Sequence, residues 1–456
     1  MKNSTRNHNF WRFLSLFFLI LVILLRGVNL DKKPYWEDET YTLARASGYG
    51  VTEISGKFYN GSIFTVEDLL EYQKVQPSTS AFDTIEQLAK EVPQHPPLYF
   101  LLVRFWSQIP FFDSSKMAFR SLSVLMSLLA FPAFWWLCSE LFTNSKVKWV
   151  AVALFSVSPI YIKYAQTARP YSLWLLLIIL SCAALLKASG QPTRLNWGIY
   201  SLTVALSLYC QLFSALVFLG HGIYILVIER VKLSQTFQKY LFSSGIGIIF
   251  FLPWILVFLR NQERAINTVS WTTISLPFSS LVKFWSLSLN RTFVAWHYQY
   301  DYLWILAVPV LLLSLYSFYF LWANKPIKNW LFIIILTIII FLFLAIPDIF
   351  LGGQRSISQR YLLPSYLGIY LGTAYLLGSK ISSQRQDIKT RFWQLITIVI
   401  IVTGTLSSAL SVQAKTWWGW SEYEGEIAQK INQSPQRLLI TDVPLGLILP
   451  LSHELK

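Results

Sequence analysis

Three adjacent carboxylates, Glu37, Asp38 and Glu39, stand a few residues after the first long apolar run, in Tyr35-Trp36-Glu37-Asp38-Glu39-Thr40-Tyr41. Like charges this close repel, so each must be hydrated or paired. A carboxylate in that position can take a proton from a hydroxyl or amine, and its acidic neighbours would raise its basicity. The same residues read equally well as the solvated start of an acidic loop. Complementary chemistry is offered by Arg169, in Ala168-Arg169-Pro170-Tyr171, and by Arg360, immediately before Tyr361. Guanidinium forks match phosphate oxygens in bidentate fashion. An arginine at the end of an apolar run also snorkels to lipid headgroups, so the anchor reading stays open for both. His95, in Gln94-His95-Pro96-Pro97, either offers its imidazole to a substrate or is satisfied by backbone groups at a helix start, while Arg120 reads as an anchor or packing residue. A carboxylate base beside cations suits displacement at a carbon whose leaving group is a phosphate. If that phosphate is joined to a long isoprenoid, the substrate is already in the lipid.

The elements that must position these residues are membrane spans. Of 456 residues, 54% are hydrophobic and 13% charged, and mean hydropathy is +0.47; a soluble chain carries about twice that charged fraction. The net charge of +15 does not imply nucleic acid, because the basic residues fall in short clusters between apolar runs, as topology signals and lipid-phosphate contacts do. Cys138, Cys182 and Cys210 lie in or beside apolar runs without metal-ligand spacing, so neither a metal nor another cofactor is expected.

Apolar runs cover approximately Phe10 to Val28, Phe119 to Leu141, Trp149 to Tyr164, Tyr171 to Leu186, Leu195 to Tyr209, Leu212 to Ile228, Tyr240 to Leu259, Tyr302 to Trp322, Trp330 to Ile346, Tyr361 to Gly378 and Phe392 to Val412. Alternate loops between them are basic and belong inside by charge bias, with the N-terminus. The first polar interval, Asn29 to Pro96, holds eleven of the 23 acidic residues against six Lys and Arg, which places it outside. Within it, Val66 to Glu91 has the spacing of one or two short amphipathic helices. Pro97 to Phe112 cannot be a full crossing without turning every basic loop outward, so it is expected to be a juxtamembrane or re-entrant helix. The expectation is an all-α polytopic membrane protein with about 11 transmembrane helices, juxtamembrane helices in the first outer loop and a short soluble C-terminal tail. Its parts would be a transmembrane domain over 1–412, with the outer loop over 29–117, and a tail over 413–456. Arg260 to Asp301 is long enough for an interfacial aromatic helix, and Arg437 to Asp442 reads as a strand. The acidic loop, the His95 turn, Gln166 to Tyr171, Arg260 to Asp301 and Asp348 to Arg360 then share one outer surface.

Taken in order, Trp36-Glu37-Asp38-Glu39-Thr40-Tyr41-Thr42-Leu43, His95-Pro96-Pro97-Leu98-Tyr99-Phe100, Phe119-Arg120-Ser121-Leu122-Ser123, Ser158-Pro159 through Tyr171 and Arg360-Tyr361-Leu362-Leu363-Pro364 resemble GT-C fold glycosyltransferases over most of residues 10 to 412. The nearest likeness is to the protein O-mannosyltransferase and aminoarabinose-transferase branch. The resemblance implies an inverting transfer of a sugar from a polyprenyl-phosphate donor to a lipid, glycan or protein acceptor on the outer or lumenal face, without a required metal. It maps the general base onto Asp38, with Glu39 as its catalytic companion. The donor phosphate would meet Arg169, Tyr171 and Arg360, and His95 and Tyr361 would meet substrate. Members of the branch often carry an aspartate near Arg169; this chain does not, which points to a less characterised bacterial-type branch in the plasma membrane. A transporter or flippase of lipid-linked saccharides is the competing class, but transporters place ionisable groups near the bilayer midplane, whereas the acids here collect outside the apolar runs.

Overall fold

The structure is a computed structural model that describes residues 20–109, 115–295, 305, 307–382, 387–418, 423–434 and 438–455. Among the described residues every regular element is helical. The first apolar run is a helix over 20–27, and its earlier part lies outside the described residues.

The polar interval that follows contains α1 (Glu37–Ala46), α2 (Val51–Phe58), α3 (Val66–Glu71) and α4 (Ala81–Glu91). The two amphipathic helices expected between 66 and 91 are α3 and α4. Each starts with a capping box, in which the Thr65 and Ser80 hydroxyls accept from the backbone N–H of Asp68 and Asp83 and those carboxylates accept in return from the cap N–H. The acidic triplet is the first turn of α1 rather than a loop, and the helix dipole favours negative charge there. Next comes α5 (Leu98–Ser107), whose ten residues span about 15 Å against the ~30 Å of a bilayer core. The described part of the stretch from Pro97 thus holds a helix shorter than a bilayer core; residues 110–112 lie outside the described residues.

The remaining helices are α6 (Lys116–Leu141), α7 (Ser145–Ser156), α8 (Pro159–Ala165), α9 (Tyr171–Gly190), α10 (Arg194–Cys210), α11 (Ser214–Ile228), α12 (Gln235–Arg260), α13 (Gln262–Thr268), α14 (Phe278–Phe293), α15 (Ala307–Asn324), α16 (Ile327–Phe350), α17 (Leu363–Ile381), α18 (Ile388–Gln413), α19 (Glu424–Asn432) and α20 (Leu445–Ser452). Each apolar run has a helical counterpart. Among the described residues six helices, α6, α9, α12, α15, α16 and α18, are long and apolar enough to cross a membrane, or seven spans if α7 and α8 count together. The run from Trp149 to Tyr164 is not straight: α7 and α8 meet at 58°. Ser158 caps α8 by accepting from the Tyr161 N–H, and Pro159 in its first turn has no N–H with which to continue the preceding helix. The aromatic helix expected within Arg260 to Asp301 is α14.

Two helices form the centre. α9 is apolar on all sides and packs between α6 and α10, and α17 packs among α7, α15 and α16. Residues 363–378 of α17 are all buried. Approach is close enough that a Cβ on Gly378 would stand 2.5 Å from the Val147 Cα of α7. Arg169 and Arg360 lie just ahead of the first turns of these two rigid helices.

Residues 438–442 carry no strand, and Arg437 lies outside the described residues. An isolated strand leaves its backbone groups unpaired, and the tail finds its partner through α20 instead. Leu445, Ile448 and Leu449 pack on Ala44 of α1, Ile54 and Phe58 of α2 and Leu69 of α3.

Gly378→Leu should push α7 off α17 and lower the melting temperature of the purified protein by several degrees. Gly190→Ala, where nothing lies within 4 Å of the added carbon, should leave it unchanged or slightly higher. Thermal unfolding in detergent compares the two.

Candidate active site

The three carboxylates of α1 point in three directions, as 3.6 residues per turn requires. Glu37 is exposed, Asp38 faces a cavity with its side chain 27% exposed, and Glu39 is buried.

Glu39 is fully engaged. Its Oε1 accepts from Arg120 Nε at 2.9 Å and from the Ala168 N–H at 2.7 Å, and its Oε2 accepts from Arg120 Nη2 at 2.9 Å and from the Trp36 N–H at 3.0 Å. Arg120 completes its donors on the carbonyls of Leu30, Lys33 and Pro34 at 2.7, 3.0 and 3.0 Å. Both side chains are 3% exposed. Arg120 is therefore more than an anchor: it ties the start of α6 to the entry of α1, and Glu39 extends the tie to the segment ahead of α9. Glu39 does not line the cavity and holds no contact with Asp38 that would raise its basicity.

Asp38 instead meets the two expected arginines. Arg360 Nη1 donates to Asp38 Oδ2 at 2.8 Å, and Arg169 Nη2 stands 3.7 Å from the same oxygen. Arg169, only 2% exposed, also donates to the Asp38 carbonyl at 3.2 Å and to Thr42 Oγ1 at 2.9 Å. Arg360 is more open, at 16%, and its guanidinium lies 5.1, 5.4 and 5.3 Å from the ring centres of Trp36, Trp271 and Tyr361. Its loop is fixed from below: buried Asp348 accepts from Arg355 Nη1 at 2.9 Å and from the Ser356 N–H and Oγ at 2.7 Å each. Gly353 has φ +143°, and a Cβ there would come within 2.6 Å of Asp348 Oδ1, so the turn takes glycine.

Burial alone would raise the Asp38 carboxyl, but Arg169 and Arg360 outweigh it and hold the group below the ordinary carboxylate range. The expected boost from the acidic neighbours is overturned by these cations. His95 is driven well below the usual imidazole value by burial first and by Arg169 and Arg45 next, so it is neutral near pH 7.

The cavity measures about 1380 Å³ and is lined by Asp38, His95, Arg169, Tyr171, Arg360 and Tyr361, so all the sequence-selected site residues except Glu39 meet there. Each of the five segments expected to share a surface contributes to its wall, Glu263 to Thr272 and Arg355 included. Among the described residues no three His, Cys, Asp or Glu side chains are grouped to hold a metal ion. Three lining residues escaped the sequence reading: Trp36 and Trp271, which sandwich Arg360, and Arg45, whose signal is its place two turns after Asp38 on one helix face.

Residues 94–257 match the family model for dolichyl-phosphate-mannose-protein mannosyltransferase. Sequence comparison with curated proteins finds no match. The chain is similar in fold to ArnT from Cupriavidus metallidurans bound to undecaprenyl phosphate, with TM-score 0.55 and 15% identity over 97% of this chain and 85% of that one. It is also similar to the apo Archaeoglobus fulgidus oligosaccharyltransferase, with TM-score 0.53 and 11% identity over 92% of this chain and 58% of that one. The fold is that of the GT-C glycosyltransferases, as the ordered motifs implied.

Arg120→Ala would leave the Glu39 carboxylate buried without its cation, a loss of about 3–5 kcal/mol. Arg120→Lys would restore the charge but not the fork, and should fall between. Thermal unfolding of the variants measures both.

Proposed function

We propose that the protein is an inverting glycosyltransferase that moves a hexose or pentose from a polyprenyl-phosphate donor to a lipid, glycan or protein acceptor, with Asp38 as general base. The observation that carries this reading is the Asp38 carboxylate, open to a large cavity and flanked there by two arginines set ahead of the two central helices. A multi-pass chain with this fold sits in a membrane, and the charge bias of its loops supports a site facing outward from a bacterial plasma membrane.

The chemistry follows from the charges. An acceptor hydroxyl or amine enters beside Asp38 and gives up its proton to the carboxylate as its oxygen or nitrogen bonds to the anomeric carbon. The bond from that carbon to the phosphate oxygen breaks on the opposite face, and the electron pair leaves with the prenyl phosphate. A single in-line displacement inverts the anomeric centre. Arg360 is the more exposed of the two arginines and so the one a donor phosphate can reach, while Arg169, nearly fully buried, stays beside Asp38. When donor phosphate takes the fork of Arg360, Asp38 loses one stabilising cation and gains a nearby anion. Its proton affinity rises at that moment, so base strength appears only with the donor in place. Tyr171 and Tyr361 flank the two arginines, and neutral His95 can both donate to and accept from a sugar hydroxyl.

Asp38→Asn should keep the fold and lower kcat by a factor of about 10²–10⁴ in a radiolabelled sugar-transfer assay, whereas full activity would remove Asp38 from the mechanism. Arg360→Ala should raise the donor KM more than it lowers kcat. The pH profiles separate the two states of the base. Because the free carboxyl is held low, kcat/KM should stay flat down to about pH 5, while the acid limb of kcat, which reports the donor-bound enzyme, should lie higher. Coincident limbs would show that the donor does not displace Arg360.

A further inference from the structure

A third arginine in the cavity makes no hydrogen bond to Asp38, although its charge adds to those that hold the Asp38 carboxyl low. Arg45 lies seven residues along α1 from Asp38, on the same face and about 10 Å along the axis. The residue is 7% exposed, it lines the cavity, and its Nε has no hydrogen-bond partner. The Tyr41 ring lies 5.1 Å from the guanidinium carbon. The acid best placed to neutralise it is committed elsewhere: both oxygens of Glu91 accept from the start of α2, from the Val51 and Thr52 N–H groups at 2.8 Å each. Burial draws the Arg45 guanidinium down to about 10 against the pull of Glu91, so it keeps its charge at neutral pH. Gln94 faces the same cavity with both its amide oxygen and its amide nitrogen buried and unpartnered. Its position is fixed because the Pro93 carbonyl accepts from Trp254 Nε1 at 3.0 Å and the His95 N–H donates to the Val92 carbonyl at 2.9 Å.

A buried guanidinium with no hydrogen-bonded carboxylate and a buried amide without a partner are each costly, and such groups persist where a ligand satisfies them. We infer that Arg45 and Gln94 form a second anion subsite, distinct from the donor-phosphate contacts at Arg360, which takes a carboxylate or phosphate borne by a reactant about one sugar unit from the reacting carbon. The assignment rests on the glycosyl-transfer reading of the cavity and narrows it: one of the two reactants carries an acidic group, either on the transferred sugar or on the acceptor. Gln94 would hydrogen-bond the hydroxyls beside that group.

The test uses the full chain in lipid nanodiscs, with wild type, Arg45→Gln, Arg45→Lys and Gln94→Leu compared by thermal stabilisation. The probes are free glucuronate, inorganic phosphate, and undecaprenyl phosphate carrying either glucose or glucuronic acid. Free anion should stabilise the wild type, with an apparent affinity at least tenfold weaker in Arg45→Gln, partly restored in Arg45→Lys and several-fold weaker in Gln94→Leu. If the acid belongs to the transferred sugar, the glucuronic-acid donor binds about tenfold tighter than the glucose donor, and Arg45→Gln erases the difference. If it belongs to the acceptor, the two donors bind alike and free anion adds its stabilisation on top of the glucose donor. An anion response absent from the wild type, or equal in folded Arg45→Gln, overturns the subsite. An Arg45-dependent anion response with no stabilisation by either prenyl donor sustains the subsite and overturns the glycosyl-transfer reading.

Discussion

The buried pair of Glu39 and Arg120 is the constraint on which the site depends. Four hydrogen bonds converge on one carboxylate, and the five N–H donors of the guanidinium are all used. Charges taken this far out of water are tolerable only when geometry satisfies every lone pair and proton, so the pair permits one arrangement of three segments that are far apart in sequence. The entry to α1, the start of α6 and the turn before α9 are locked together, and Asp38 and Arg169 are set by residues adjacent to that lock. The place of Asp38 in the cavity thus comes from a neighbouring carboxylate that does not itself line it.

The cavity itself is electrostatically guarded. Asp38 offsets one of the two positive charges that Arg169 and Arg360 bring together, which lowers the cost of gathering them beside apolar helices and leaves the group net positive. The same mutual pairing makes Asp38 a weak base until something competes for a guanidinium.

Much of the site was legible because charge is scarce in an apolar chain. Asp38, Arg169 and Arg360 stand out against their surroundings, and the alternation of basic loops was enough to bring five distant segments to one surface. Helix locations within the apolar runs followed for the same reason. What the sequence concealed were features made by tertiary contact. Residues 37–46 are polar enough to pass for a loop, and their burial comes from the tail, α2 and α3 around Ala44 and from the main core around Leu43 and Ala46. Without α1 as a helix, neither the inward turn of Glu39 toward Arg120 nor the shared face of Asp38 and Arg45 could be seen. Arg120 looks like any cation at a membrane boundary until its four partner residues are known. The break at Ser158-Pro159 was visible as residues but not as an angle, and residues 438–442 had strand-like composition with nothing to pair against.

The docking of α20 has a consequence for how the protein is made. Leu449 seals the back of α1, Glu454 pairs with Lys116, and His453 lies against Tyr35 while hydrogen-bonding to Gln73. The tail and these residues are separated by most of the chain, so this side of α1 gains its support only after every intervening helix has been synthesised and inserted, whereas α4 and α5 pack on α1 from nearby in sequence. Early in biogenesis the acidic turn would be tethered at one end and unsupported at the other, with Glu39 awaiting Ala168 and the hydrophobic underside of α1 uncovered. Assembly of the reaction centre is therefore a late event of high contact order, and a ribosome stalled before the tail would leave a membrane-inserted bundle whose chemistry had not yet been put together.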